Sequence, residues 1–330
     1  MTKTTSTEYN GNDSIATVTS KSYDSYNQPS VLITSSSNPN IVGERVDLVY
    51  PYNYSDIPIF LKMKQVNRLA DVVSLRKYYF PKSSIIYGFD KSFTEVEDKI
   101  LESKVTIEGI LEPTESRELT YDKYDSQNAN LLQYTSKSIV NSVIWDYNSQ
   151  YPVAKAINSS ATNCAYTSFE ADGKGNWSFT GSPTADPISP TGKMCYSLSN
   201  GPLSKTDLNS ELKFLVSYWA KTGASVNITG GTLGQLVTGR SYNNWTYYER
   251  LVSNATIITI SGTGLIDEVR LYPADAQMTT YTYEPLIGIT SATDAKGQSI
   301  YYEYDYFQRL KVIKDQDRNI IKAFNYNYKH

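Results

Sequence analysis

Histidine is all but missing from this 330-residue chain: the one imidazole is His330, the last residue. Ser-His-Asp and Cys-His nucleophile systems, HExxH zinc sites and two-His-one-carboxylate iron sites all need imidazole inside a fold. None can be assembled here. Net charge is scarce too. Lysine and arginine number 31 against 34 acids, a balance of −3, so no polybasic field exists to capture nucleic acid. Long apolar runs are absent. Ile57–Leu61 and Leu69–Val73 break off far short of the ~20 residues that span a bilayer, and mean hydropathy is −0.43. The polar opening residues, Met1 to Glu8, hold no apolar core of a secretion signal.

Cysteine is limited to Cys164 and Cys195. A disulfide between them would add about 3–4 kcal/mol on the chain-entropy model. Two free, buried thiols are the equal alternative. Tyrosine, by contrast, is abundant at 29 residues. Tyr, Thr, Val and Ile suit a pleated surface, and Asn, Asp, Gly and Ser suit turns. The composition predicts a mainly β protein.

The C-terminal stretch repeats itself. Tyr283-Glu284 falls on Tyr304-Asp305 at an offset of 21 residues, and Ile289 on Leu310, Asp294 on Asp315 and Ile300 on Ile321 follow. The same interval separates Tyr124-Asp125 from Trp145-Asp146. Each unit reads as a strand, a turn, a second strand and an Asp-rich turn. A single hairpin is marginal in water, so such units must stack side by side.

Residues 162–274 differ. They hold Trp177, Trp219 and Trp245, both cysteines and most of the glycines. Phe214–Ala220, Thr256–Ser261 and Leu265–Tyr272 read as short strands, with a Pro-rich loop over Ser182–Pro190, which predicts a β-sandwich. Before residue 117, strands are expected at Ile15–Ser20, Pro29–Thr34, Gly43–Tyr50, Val72–Phe80, Ser84–Phe89 and Lys99–Gly109. One short helix is expected near 56–69, where Ser55-Asp56 offers a cap and Pro58 an early helical position.

Tyr304-Asp-Tyr-Phe-Gln-Arg-Leu-Lys-Val-Ile-Lys-Asp315 resembles the YD repeat of Rhs-type proteins, Tyr-Asp-x-x-Gly-Arg-Leu followed by a strand and an Asp-x-x-Gly turn. Tyr124–Leu132, Trp145–Ala154 and Met278–Asp294 resemble the same group in its Bacteroidetes-type form. Gln308 and Arg318 stand where the repeat has Gly, which predicts locally altered turns. The resemblance is loose over 1–160 and close over 278–330. It implies a bacterial, secreted or cell-surface parent whose repeats coil into a β-sheet shell able to enclose a toxic domain, and a scaffold whose partners are further YD-repeat strands. The expected architecture is a curved antiparallel hairpin sheet from 1–160 and 278–330, packed together, with a jelly roll at 162–274.

The central block is similar to galactose-binding-like jelly rolls, common among carbohydrate-binding modules, on Ser168-Phe-Glu170, Thr191-Gly-Lys193, Ser217–Lys221, Asn244–Glu249 and Ile266–Val269. That likeness implies a glycan partner held on aromatic faces with polar neighbours. The candidates are Trp177, Trp219, Trp245, Tyr242 and Tyr247, with Arg240, Asn243 and Asn244. Both faces of its strand are apolar, so Trp219 reads as core more than as ligand face, and Trp177 and Trp245 read as caps on the sandwich more than as platforms. The likeness also implies a structural calcium on Glu170 and Asp267, which otherwise read as a solvated acid and a turn acid. Glu249, Asp267 and Glu268 are acids that a glycosidase would need converging across a cleft. The expectation is a chain with no catalytic residues.

Overall fold

The computed structural model describes residues 1–10, 13–38, 40–80, 85–109 and 117–327. His330 and Ser84 lie outside the described residues. Among the described residues the fold is mainly β, with large antiparallel sheets and one α-helix, Pro58–Gln65. No described helix is long and apolar enough to cross a membrane.

The chain divides into two compact units, one of residues 1–129 with 135–138, the other of residues 130–134 with 139–330. In the first, eight strands follow one another antiparallel in chain order: Thr2–Asn10, Asp13–Tyr23, Pro29–Ser36, Gly43–Val49, Ser74–Phe80, Ile85–Val96, Lys99–Gly109 and Arg117–Tyr124. The helix buries Phe60 and Met63 against Val73, Phe93 and Ile100. It is shorter than its apolar spacing suggests. Its N-cap is Ile57, with no side-chain cap, so the Ser55-Asp56 signal goes unused.

In the second unit, Ile139–Asp146, Tyr151–Ile157, Gln277–Glu284, Gly288–Thr293, Ser299–Tyr304, Leu310–Lys314 and Ile320–Ala323 form consecutive antiparallel neighbours. The chain leaves this sheet after Ile157 and returns beside the strand it left, Ala154 facing Thr280. The excursion between is a β-sandwich. Its larger sheet runs Thr184–Ala185, Met194–Ser197, Leu265–Pro273, Lys213–Lys221, Trp245–Ser253 and Thr232–Tyr242, with Ala165–Thr167 also on Leu265–Pro273. Its smaller sheet is Leu203–Lys205, Ile258–Thr263 and Ser225–Thr229. Phe214, Val216, Tyr218, Ile258, Ile260 and Leu271 lie in the core between the two.

Four of the hairpin turns share one construction. At Asp24, Asp294, Asp305 and Asp315 the side-chain Oδ1 accepts from the backbone N–H groups two and four residues on. The Asp carbonyl accepts from the N–H three residues on. That residue is left-handed each time: Asn27, Gly297, Gln308 and Arg318, with φ of 60°, 73°, 62° and 64°. The turns at Gln308 and Arg318 are therefore unaltered, contrary to what the missing glycines suggest. A one-methylene carboxylate reaches its own downstream N–H groups. At Glu284 the longer side chain stands instead, and the left-handed residue is Leu286, one position earlier. Asp24 is a member of this set that the 21-residue alignment passed over.

Tyrosine hydroxyls join neighbouring strands. Tyr283 donates to the Pro152 carbonyl, Tyr304 to that of Ile289 and Tyr326 to that of Leu310. In the first unit Tyr50 donates to Pro29 and Tyr124 to Glu102 in the same way.

Candidate functional site

Strand Lys213–Lys221 decides how much of the sandwich is free to bind anything. Phe214, Val216, Tyr218 and Ala220 face the sandwich core. On the other face, Leu215 packs on a cluster holding Tyr166 and Tyr272 of the sandwich and Met278 of the repeat sheet, while Trp219 joins Cys195, Trp245 and Tyr247. Both faces of the strand are inner ones.

Strand Leu265–Pro273 carries a bulge at Glu268, whose φ is 50°. A bulge sends two consecutive side chains to one face. Ile266 and Val269 enter the core, and Asp267 and Glu268 both turn outward. Glu268 is fully buried there. Its Oε1 accepts from Nε and Nη2 of Arg270 at 3.1 and 2.8 Å, and its Oε2 accepts from the Tyr166 hydroxyl at 2.7 Å. Arg270 continues to the Asp294 carbonyl and the Thr280 hydroxyl of the repeat sheet, both at 2.9 Å. Tyr301 and Arg318 donate to the carbonyl of Pro190 in the sandwich. The network ties the sandwich to the repeats through buried polar atoms, each holding a partner.

The proposed sugar-binding aromatics fall mostly inside this packing. Trp177 is buried in the sandwich core, its Nε1 donating to the Val269 carbonyl at 3.4 Å. Trp219 and Trp245 are 2% and 0% exposed, and among the described residues the Trp245 indole N–H has no hydrogen-bond partner. The Arg240 guanidinium lies 5.1 Å above the Trp219 ring, covering the face a sugar would take. Tyr242 is half-buried against the same cluster. Asn243 and Asn244, with φ of 48° and 67°, form the two-residue turn between the facing pair Tyr242 and Trp245.

Two candidates do meet at a groove of about 350 Å³. Arg240 and Tyr247 line it together with Glu249, Lys296, Gln298 and Gln316. Tyr247 donates to Glu249 Oε1 at 2.8 Å, and Arg240 Nη1 donates to the Gln316 carbonyl at 3.0 Å. Gln298 and Gln316 belong to the Asp294 and Asp315 turns. Nothing local in the sequence links those turns to residues 240–249; the docking of the sandwich brings them together.

Glu170 and Asp267, the calcium candidates, come close, but their oxygens meet protons. Glu170 Oε1 accepts from the backbone N–H groups of Lys193 and Met194. Asp267 Oδ2 accepts from the Thr191 N–H at 3.0 Å and Oδ1 from the Glu268 N–H at 2.6 Å. Burial, opposed by those two N–H groups, pushes the Glu170 carboxyl up to about 7. Burial first, then the neighbouring Glu268, raises Asp267 well above the carboxylate range. Among the described residues, no group of three or more His, Cys, Asp or Glu is arranged to hold a metal ion. With Glu170 Oε1 and both Asp267 oxygens accepting from N–H groups, this pair does not turn toward one point the six to eight free oxygens that calcium takes. Cys164 and Cys195 are free, buried thiols in separate clusters, so the disulfide is not formed. Cys164 Sγ lies 3.2 Å from the Ser142 hydroxyl. Burial pushes Cys195 up to about 12.

No family model and no curated protein matches the chain. Among solved structures, the crystal structure of TcdB2-TccC3-TEV aligns over 92% of this chain at 8% identity, with a TM-score of 0.31. The chain spans 21% of the length of that one. So distant a likeness establishes neither family nor function.

Proposed function

We propose that this chain is a non-catalytic segment of a surface or secreted Rhs/YD-repeat protein, a β scaffold of Tyr-Asp hairpins that carries an inserted jelly roll. The recurring Asp turn carries the reading. One hydrogen-bond pattern and one left-handed position recur at Asp24, Asp294, Asp305 and Asp315 despite changes of residue at the left-handed site. A sheet built of stacked equivalent units needs such a module. The sandwich acids support the reading: Asp267 and Glu268 are engaged by N–H groups and by Arg270, which leaves Glu249 as the one of the three at the groove.

Glycan binding is the second reading, and the groove favours it. Tyr247 there has Arg240, Glu249, Gln298 and Gln316 around it, polar groups of the kind that fix sugar hydroxyls beside an aromatic ring. A glycan array probed with the whole chain separates the two, since excising the sandwich would bare its inner face. The scaffold reading expects no retained glycan and no glycan hydrolysis. A glycan retained by the native chain and lost in Arg240→Ala would establish the second reading instead. Location is tested by protease treatment of intact cells making the parent protein: cleavage supports a surface scaffold, and full protection with all protein in the cytosol would sink it.

A further inference from the structure

We infer that Glu170 and Asp267 clasp the segment Thr191–Met194 directly by its backbone N–H groups, in the place where the jelly-roll resemblance would set a calcium ion. A calcium site turns six to eight oxygen lone pairs toward one point. Here four N–H groups point at the two carboxylates: those of Lys193 and Met194 at Glu170, and those of Thr191 and Glu268 at Asp267. The Thr191 hydroxyl adds a contact 3.1 Å from Asp267 Oδ2. A cation between the acids would face the positive ends of these dipoles.

Gly192 makes the clasp sterically feasible. Its φ is 61°, and a Cβ there would stand 2.1 Å from Glu170 Cδ, so the carboxyl group lies directly against the backbone. A left-handed residue between ordinary ones turns successive N–H groups toward one side, a concavity suited to an anion. In this chain the anions are its own two carboxylates. Pro190, next to the clasped segment, accepts from Tyr301 and Arg318, so the same strap also meets the repeat sheet.

The test compares thermal unfolding of the whole chain in EDTA with unfolding in millimolar CaCl2, the range in which extracellular modules take up the ion. The expected result is one melting temperature in both solutions. Glu170→Gln and Gly192→Ala should lower it by equal amounts in each. A calcium-induced rise in the native chain that disappears in both Glu170→Gln and Asp267→Asn would overturn the inference. A rise that survives both substitutions would put the ion elsewhere and leave the clasp standing.

Discussion

At Gln308 and Arg318, side chains occupy a backbone region that glycine enters freely. A left-handed non-Gly residue costs about 1–2 kcal/mol. The turns persist because the Asp305 and Asp315 carboxylates each hold two backbone N–H groups in place across the turn. Arg318 adds a compensation, its guanidinium stacked 3.3 Å from the Tyr301 ring centroid. Gln308→Gly is therefore the informative change. Relief of strain, less the extra entropy glycine loses on folding, should stabilise the chain by about 0.5–1 kcal/mol. A denaturation midpoint that falls rather than rises would count against the strain account. The Asp turn itself was legible in sequence as Asp spaced along the repeat. The identity of the left-handed residue was not, because a side-chain acceptor can impose that conformation on Gln or Arg.

Between elements, the tyrosines act as cross-strand fasteners. Burial first, then neighbouring phenols, pushes the Tyr124 and Tyr283 hydroxyls up to about 12, against an ordinary 10. Folded values above the unfolded ones fix the sign. Their contribution is fully present below pH 10 and is lost as pH rises through about 12, since the unfolded chain gives up these protons first. Stability should thus fall across that window, and phenolate absorbance in the native chain should lag behind that of the denatured chain. Coincident titration curves would contradict the burial of these hydroxyls. Strand Lys213–Lys221 shows the limit of reading elements one at a time. Its alternation marks two apolar faces, and no rule of periodicity assigns the second to a ligand or to a neighbouring sheet.

On the scale of the second unit, a buried ion pair of the sandwich hydrogen-bonds to the repeat sheet. Arg270 and Glu268 each have side chains 1% exposed, and Arg270 spans from the sandwich to Asp294 and Thr280. Glu268→Gln removes the counter-charge and leaves the guanidinium buried, which should cost about 3–5 kcal/mol in the whole chain. Equilibrium unfolding measures it; a loss under 1 kcal/mol would mean that water reaches the pair. The aromatic candidates read as a sugar platform in sequence, and the sandwich's own residues pack around them in the fold. Trp219 faces away from the sandwich core, as its strand position says, and is covered by Arg240, Trp245 and Tyr247 of neighbouring strands.

By itself the sequence determined the β class and the helix near Pro58, because each depends on residues within a turn or two of one another. Tertiary structure alone decided three things. It turned Asp267 and Glu268 to one face through a bulge, gathered Arg240, Tyr247, Gln298 and Gln316 at one groove, and filled the Glu170–Asp267 site with N–H groups. Each depends on where a backbone dipole or a second sheet arrives from elsewhere in the chain, and residue type and spacing carry no record of that arrival.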